Sequence, residues 1–122
     1  MRQLDYKSIE VNGKLIRFDI NISQVVEYKD FFVVLIRERK EIPNNVMAYN
    51  YLGEKIWNIN DIVQAKIPRG YDQIEKKSDN ILTAHYELGI IFEIDVNKRE
   101  VVQKNIWDSL NCVTIYGYTN NL

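Results

Sequence analysis

Phe31-Phe32-Val33-Val34-Leu35-Ile36 sets six apolar residues in succession. A strand turns alternate side chains to opposite faces, so a run that is apolar at every position leaves no face for water. Lys29-Asp30 makes a turn before it. The run therefore predicts a central strand covered on both faces, and the rest of the chain has to supply the covers.

The remaining sequence reads as short strands and tight turns. Ala, the best helix former, occurs only at 48, 65 and 84, while Ile, Val and Tyr, which suit a pleated half-buried surface, are abundant. Gly13, Gly53, Gly70, Gly89 and Gly117 fall between or at the ends of apolar runs, and Pro43 and Pro68 fall in polar segments, so neither type interrupts a candidate strand. Asn12-Gly13, between 8–11 and 14–20, is the signature of a type I′ hairpin. Beyond it Ile16, Phe18 and Ile20 share one face. A short strand is expected at 24–28, and hairpins at 46–50 with 55–59 and at 81–86 with 90–95. Further strands are expected at 100–107 and 112–118. The expectation is an all-β antiparallel meander of about 8–10 short strands, with little helix, forming a small sandwich or partly open barrel. It is a single domain over 1–122, with a long loop or insertion at 60–80, where Pro68, Gly70 and the charged run 75–79 lie.

Two of these hairpins share a pattern. Ala48, Leu52 and Gly53 align with Ala84, Leu88 and Gly89 at a spacing of 36 residues (89 − 53), with an apolar residue three after each glycine. In 45–59, Val46, Ala48, Tyr49, Gly53 and Trp57 carry a resemblance to the blade hairpin of PQQ-type (quinoprotein-like) propellers. The segment also resembles small bacterial β-rich domains of unassigned function. Asn50 and Leu52 depart from the blade pattern, in which an acidic residue and a polar turn residue are usual. The resemblance implies a blade-shaped hairpin and says nothing about PQQ, since blade hairpins occur in many proteins without cofactor. A closed propeller needs at least about four blades of roughly 40 residues, more than this chain holds.

Composition narrows the functional classes. The chain has 122 residues, a formal net charge of −1 and one cysteine. Near-neutral charge disfavours a dedicated nucleic-acid or membrane-surface binder. One cysteine cannot build a disulfide framework or a Cys-rich zinc site. No stretch reaches the roughly 20 apolar residues that span a bilayer, and 1–5 lack the apolar core of a signal peptide, so a cytoplasmic location is expected. No glycine-rich phosphate loop follows a strand.

Catalytic constellations are also missing. His85 is the only histidine and Cys112 the only cysteine, and nothing in the sequence brings them together. Asp72, Glu75, Asp79, Glu93 and Asp95 could supply oxygen ligands but have no calcium-loop spacing. No catalytic residue, metal ligand or cofactor is assigned. Arg37-Glu38-Arg39-Lys40 and 66–69, with Tyr71, Tyr116 and Tyr118, could hold single-stranded nucleic acid, but acidic residues are interleaved and the field is weak. Trp57 and Trp107 read as core residues before partner anchors.

Two functional readings follow. The first is a small intracellular module that binds another protein by surface contact, as an inhibitor or immunity-type protein does. Its contact residues would be Arg69, Tyr71, Asp72, Trp57, Tyr116 and Tyr118, and a sheet edge would be available for a homo-oligomer. The second is a small-molecule-binding or enzymatic barrel with a cavity lined by His85, Tyr86 and Glu93. Such a site requires a pocket of roughly 300 Å³ or more.

Overall fold

The computed structural model describes residues 1–65, 69–87, 89–107 and 112–115, with backbone alone at 106–107 and 112–115. Its strands are β1 (Arg2–Gln3), β2 (Ser8–Val11), β3 (Lys14–Arg17), β4 (Ile22–Glu27), β5 (Phe31–Ile36), β6 (Val46–Asn50), β7 (Lys55–Asn58), β8 (Tyr71–Lys76), β9 (Ile81–Tyr86), β10 (Ile90–Asp95), β11 (Glu100–Trp107) and β12 (Cys112–Ile115). A single 3-10 turn spans Ile59–Asp61. The strands form three sheets, β1-β2-β3, β4-β5-β6-β7 and β12-β11-β10-β9-β8. Sheet neighbours are chain neighbours and every pairing is antiparallel. The all-β meander is as expected, with twelve strands among the described residues where about 8–10 were anticipated. The open sheets stack, and none closes into a barrel.

The run at 31–36 is the middle of the stack. Phe31, Val33 and Leu35 pack with Leu82, Ala84, Phe92 and Ile94 of the third sheet. Phe32 and Val34 point the other way, into a cluster with Ile9, Val11 and Ile16 of the first sheet. Its neighbour β6 divides similarly, Val46 and Ala48 toward the third sheet and Met47 and Tyr49 toward the first. Both central strands of the second sheet are thus covered on both faces, and their burial removes two layers of apolar surface from water.

Turn chemistry fixes the hairpins. Asn12 (φ 49°) and Gly13 (φ 78°) both occupy the left-handed region that a type I′ turn requires, and Val11 pairs directly with Lys14. The two hairpins of the 36-residue pattern share a three-residue loop ending in a glycine of positive φ: Asn50 N–H donates to Glu54 C=O across 51–53, and Tyr86 pairs with Ile90 across 87–89. Ala48 and Ala84 are both fully buried and face the same apolar layer. They differ past the turn. A bulge sets Ala48 opposite Trp57, whereas Ala84 lies opposite Phe92.

The expected loop at 60–80 contains a strand. Tyr71–Lys76 is β8, the edge of the third sheet. Tyr71 pairs with Tyr86 and Gln73 with His85, which leaves Asp72 as a bulged residue. Tyr71 and Ile74 therefore both face the core at a spacing of three, and the period of two that marks a strand is hidden.

The outer edge of β8 is closed by side chains. Asn45, 1% exposed, accepts the Tyr71 N–H on Oδ1 at 2.7 Å and donates from Nδ2 to the carbonyls of Tyr71 and Ile36, both at 2.9 Å. Gln24 Oε1 accepts the Ile74 N–H at 2.7 Å, and Glu41 Oε1 accepts the Gly70 N–H at 2.9 Å. Gly70 sits so close that a Cβ there would lie 2.7 Å from the Ile42 carbonyl oxygen. These bonds satisfy edge groups that burial would otherwise make costly. They also occupy the β8 edge at Gly70, Tyr71 and Ile74.

Replacing Asn45 by Ala should cost about 3 kcal/mol or more, because buried groups of Tyr71 and Ile36 lose partners at roughly 1–3 kcal/mol each. Gln24→Ala, at a partly hydrated position, should cost about 1 kcal/mol. Urea denaturation of the two variants checks this order, and equal small losses would show that the edge bonds do not hold β8.

Candidate functional site

The sequence-derived contact residues are dispersed. Trp57 and Tyr71 are each 3% exposed and belong to the apolar layer between the second and third sheets. Both are buried where surface contacts were expected. Trp57 Nε1 is buried without a hydrogen-bond partner among the described residues. Tyr71 packs its ring against Tyr86 with centroids 5.1 Å apart. Tyr116 and Tyr118 lie outside the described residues, as do the side chains of Trp107 and Cys112.

Arg69 makes an internal contact. Its guanidinium donates to both oxygens of Glu41, Nε at 2.8 Å and Nη2 at 2.9 Å, while the Glu41 carboxylate also takes the Gly70 N–H. This bidentate geometry is the strong form of an ion pair. The Arg69 hydrogen bonds, then the Gly70 N–H, hold the Glu41 carboxyl at about 2, well below the usual range. The clamp joins the 37–45 loop to the entry of β8. The basic cluster at 37–40 borders a mixed hollow of about 200 Å³ that also includes Glu38, Glu41 and Glu87, so the positive surface proposed for nucleic acid is interrupted by acids.

Asp72 and His85 do come together. The bulge turns Asp72 out of the β8 ladder, and the alternation of β9 carries His85 to the sheet's outer face, opposite Ile91. With Tyr86, Glu87, Gly89 and Ile90 they line a cleft of about 380 Å³ at the turn of the β9–β10 hairpin. Tyr86 forms its inner wall; the ring packs on Tyr71 and Phe92, and the phenol oxygen accepts the Arg69 N–H at 3.1 Å. Burial pushes the Tyr86 phenol up, an effect opposed by that backbone hydrogen bond.

Glu93 is in the next hollow and not in this cleft. It is 6% exposed and bonded by the Lys77 ammonium. With Glu75, Lys77, Thr83, Ile91 and Asn105 it lines a space of about 280 Å³. Ile91 borders both hollows, so they lie side by side across β8–β11. Among the described residues the buried Asn105 Oδ1 has no hydrogen-bond partner. The expected trio is therefore not brought together: His85 and Glu93 lie in adjoining depressions on the outer face of the third sheet, while the Tyr86 ring is buried in the layer beneath it.

Neither Asn45 nor Glu41 was singled out by sequence. Their partners at the start of β8 lie 26 to 29 residues away, and no local pattern marks that distance. Asp95, one of the carboxylates that could have supplied an oxygen ligand, caps a turn: its Oδ1 accepts the N–H groups of Asn97 and Lys98 at 3.0 and 2.9 Å. Among the described residues no three His, Cys, Asp or Glu side chains gather as a metal site, and no helix is long and apolar enough to cross a membrane.

The depressed Glu41 carboxyl fixes the sign of one pH effect. A carboxylate held lower in the folded than in the unfolded state stabilises fully above the ordinary value and loses that contribution as pH falls toward about 2. Melting temperatures of the wild type and Glu41→Gln should differ above pH 5 and converge by pH 2 to 3. A constant gap across that window would remove Glu41 from the acid response.

Comparison with known proteins adds a family and no activity. No curated protein and no solved structure matches the chain. The matching family model is not that of a quinoprotein-like blade. It covers residues 1–106, which span β1 through nearly all of β11. The chain belongs to the family described as "Domain of unknown function (DUF7957)".

Proposed function

We propose that the protein binds another protein by surface contact, and that the contact face is the outer side of the third sheet. The observation that carries this is the pair of adjoining hollows around Ile91. Their half-buried side chains His85, Thr83 and Asn105 and the buried Glu93 lie on a face that no other sheet of the described residues covers. Such a face offers apolar area and polar groups together, the mixture found at recognition surfaces. Arg69, Tyr71 and Trp57 act behind it by holding β8 in place, and Asp72 reaches it directly. An inhibitor or immunity-type role in the bacterial cytoplasm is the form of this reading that needs neither catalytic group nor cofactor. The blade-like resemblance of 45–59 enters only as hairpin shape.

The cleft of about 380 Å³ also favours a second reading, a small-molecule site at His85 and Tyr86. That site would be an open surface cleft, because side chains fill the space between the sheets.

Affinity capture from the native cell, comparing wild type with Ile91→Arg, tests the first reading. A partner that forms a stoichiometric complex with the wild type in size-exclusion chromatography and is lost with the folded variant is expected. The reading fails if nothing is retained, or if the variant retains the same partner equally.

A further inference from the structure

Resting on the partner-binding reading, we propose that the two hollows receive an arginine-bearing basic segment of the partner, with a guanidinium seated between Asp72 and Glu87. The cleft is lined by apolar Ile91 on the outer face and by Ile90, which packs toward the core, and Asp72 and Glu87 line it as well. A side chain that matches both has an apolar stem and a cationic head.

Charge around the cleft is unbalanced in the same sense. Arg69, whose charge also acts on Glu87, is held by both oxygens of Glu41. In the adjoining hollow one ammonium, Lys77, faces two carboxylates, Glu75 and Glu93, and is bonded to Glu93. Hydrogen-bonding capacity points the same way. Asp72, Glu87 and Glu75 offer acceptors, and the buried Asn105 Oδ1 is an acceptor with no partner among the described residues. A guanidinium has five N–H donors and no acceptor, in a planar fork that fits carboxylates. An acidic segment would meet like charge, and a neutral one would leave the rim carboxylates unpaired as it dehydrates them.

Fluorescence anisotropy with a labelled, end-capped hexa-arginine peptide tests the assignment on the full chain, with the hexa-citrulline peptide as a neutral isostere. The expected result is saturable binding of hexa-arginine at least about tenfold tighter than hexa-citrulline, weakened by salt. The double variant Asp72→Asn/Glu87→Gln should lose about tenfold, while Glu38→Gln/Asp30→Asn, which removes equal charge elsewhere, should bind as wild type. Unchanged melting temperatures confirm that the variants are folded. No binding of hexa-arginine, equal binding of the citrulline peptide, or equal losses in both double variants would overturn the assignment. If Ile91→Arg releases a captured partner while the peptide ignores Asp72 and Glu87, the partner-binding reading stands and this assignment falls. If Ile91→Arg releases nothing, both fall.

Discussion

The outer edge of β8 is closed by side chains where another strand would otherwise sit, and Asn45 closes it at its most buried point. Its amide gives Tyr71 one acceptor and one donor, as a neighbouring strand would, and reaches Ile36 as well. Gln24 and Glu41 extend the closure on either side, at Ile74 and Gly70. The second and third sheets are thereby tied at one corner by directional bonds, while the apolar layer between them supplies the non-directional attraction. Without those bonds β8 would carry unpaired N–H and C=O groups against a packed layer.

The same closure shapes the candidate site. Asp72 is the extra residue of a bulge, and the strand is held on either side of it, at Tyr71 by Asn45 and, two positions beyond, at Ile74 by Gln24. A bulge fixed on both sides points its side chain in one direction. Asp72 accordingly stands at the cleft beside His85, whose own direction follows from the alternation of β9. Arg69 and Glu41 act one step earlier, by fixing the chain as it enters β8. The geometry of the outer-face cleft thus depends on contacts made at the edge and in the core.

What could be read from sequence was local. The type I′ turn at Asn12-Gly13, the doubly covered strand at 31–36 and the paired glycine hairpins all follow from residues within a few positions of one another. β8 was hidden because its bulge replaces a spacing of two with a spacing of three. Trp57 and Tyr71 illustrate a second limit. An aromatic residue satisfies a core and an interface equally well, and only the layer that covers it distinguishes the two. His85 and Glu93 lie on one face in adjoining hollows, whereas Tyr86, next to His85 in the chain, points to the opposite side of the sheet. The stack could not be counted from sequence, because alternation within a strand says that a face is covered and not by which sheet.

Hydrogen exchange of the native protein, followed by NMR at the Tyr71 amide, measures the closure directly. If Asn45 stands in for a strand, Tyr71 exchanges only through global unfolding, alongside Val33 and Leu35 at the centre of the stack. Exchange at the rate of an unstructured peptide, while Val33 and Leu35 remain protected, would contradict it.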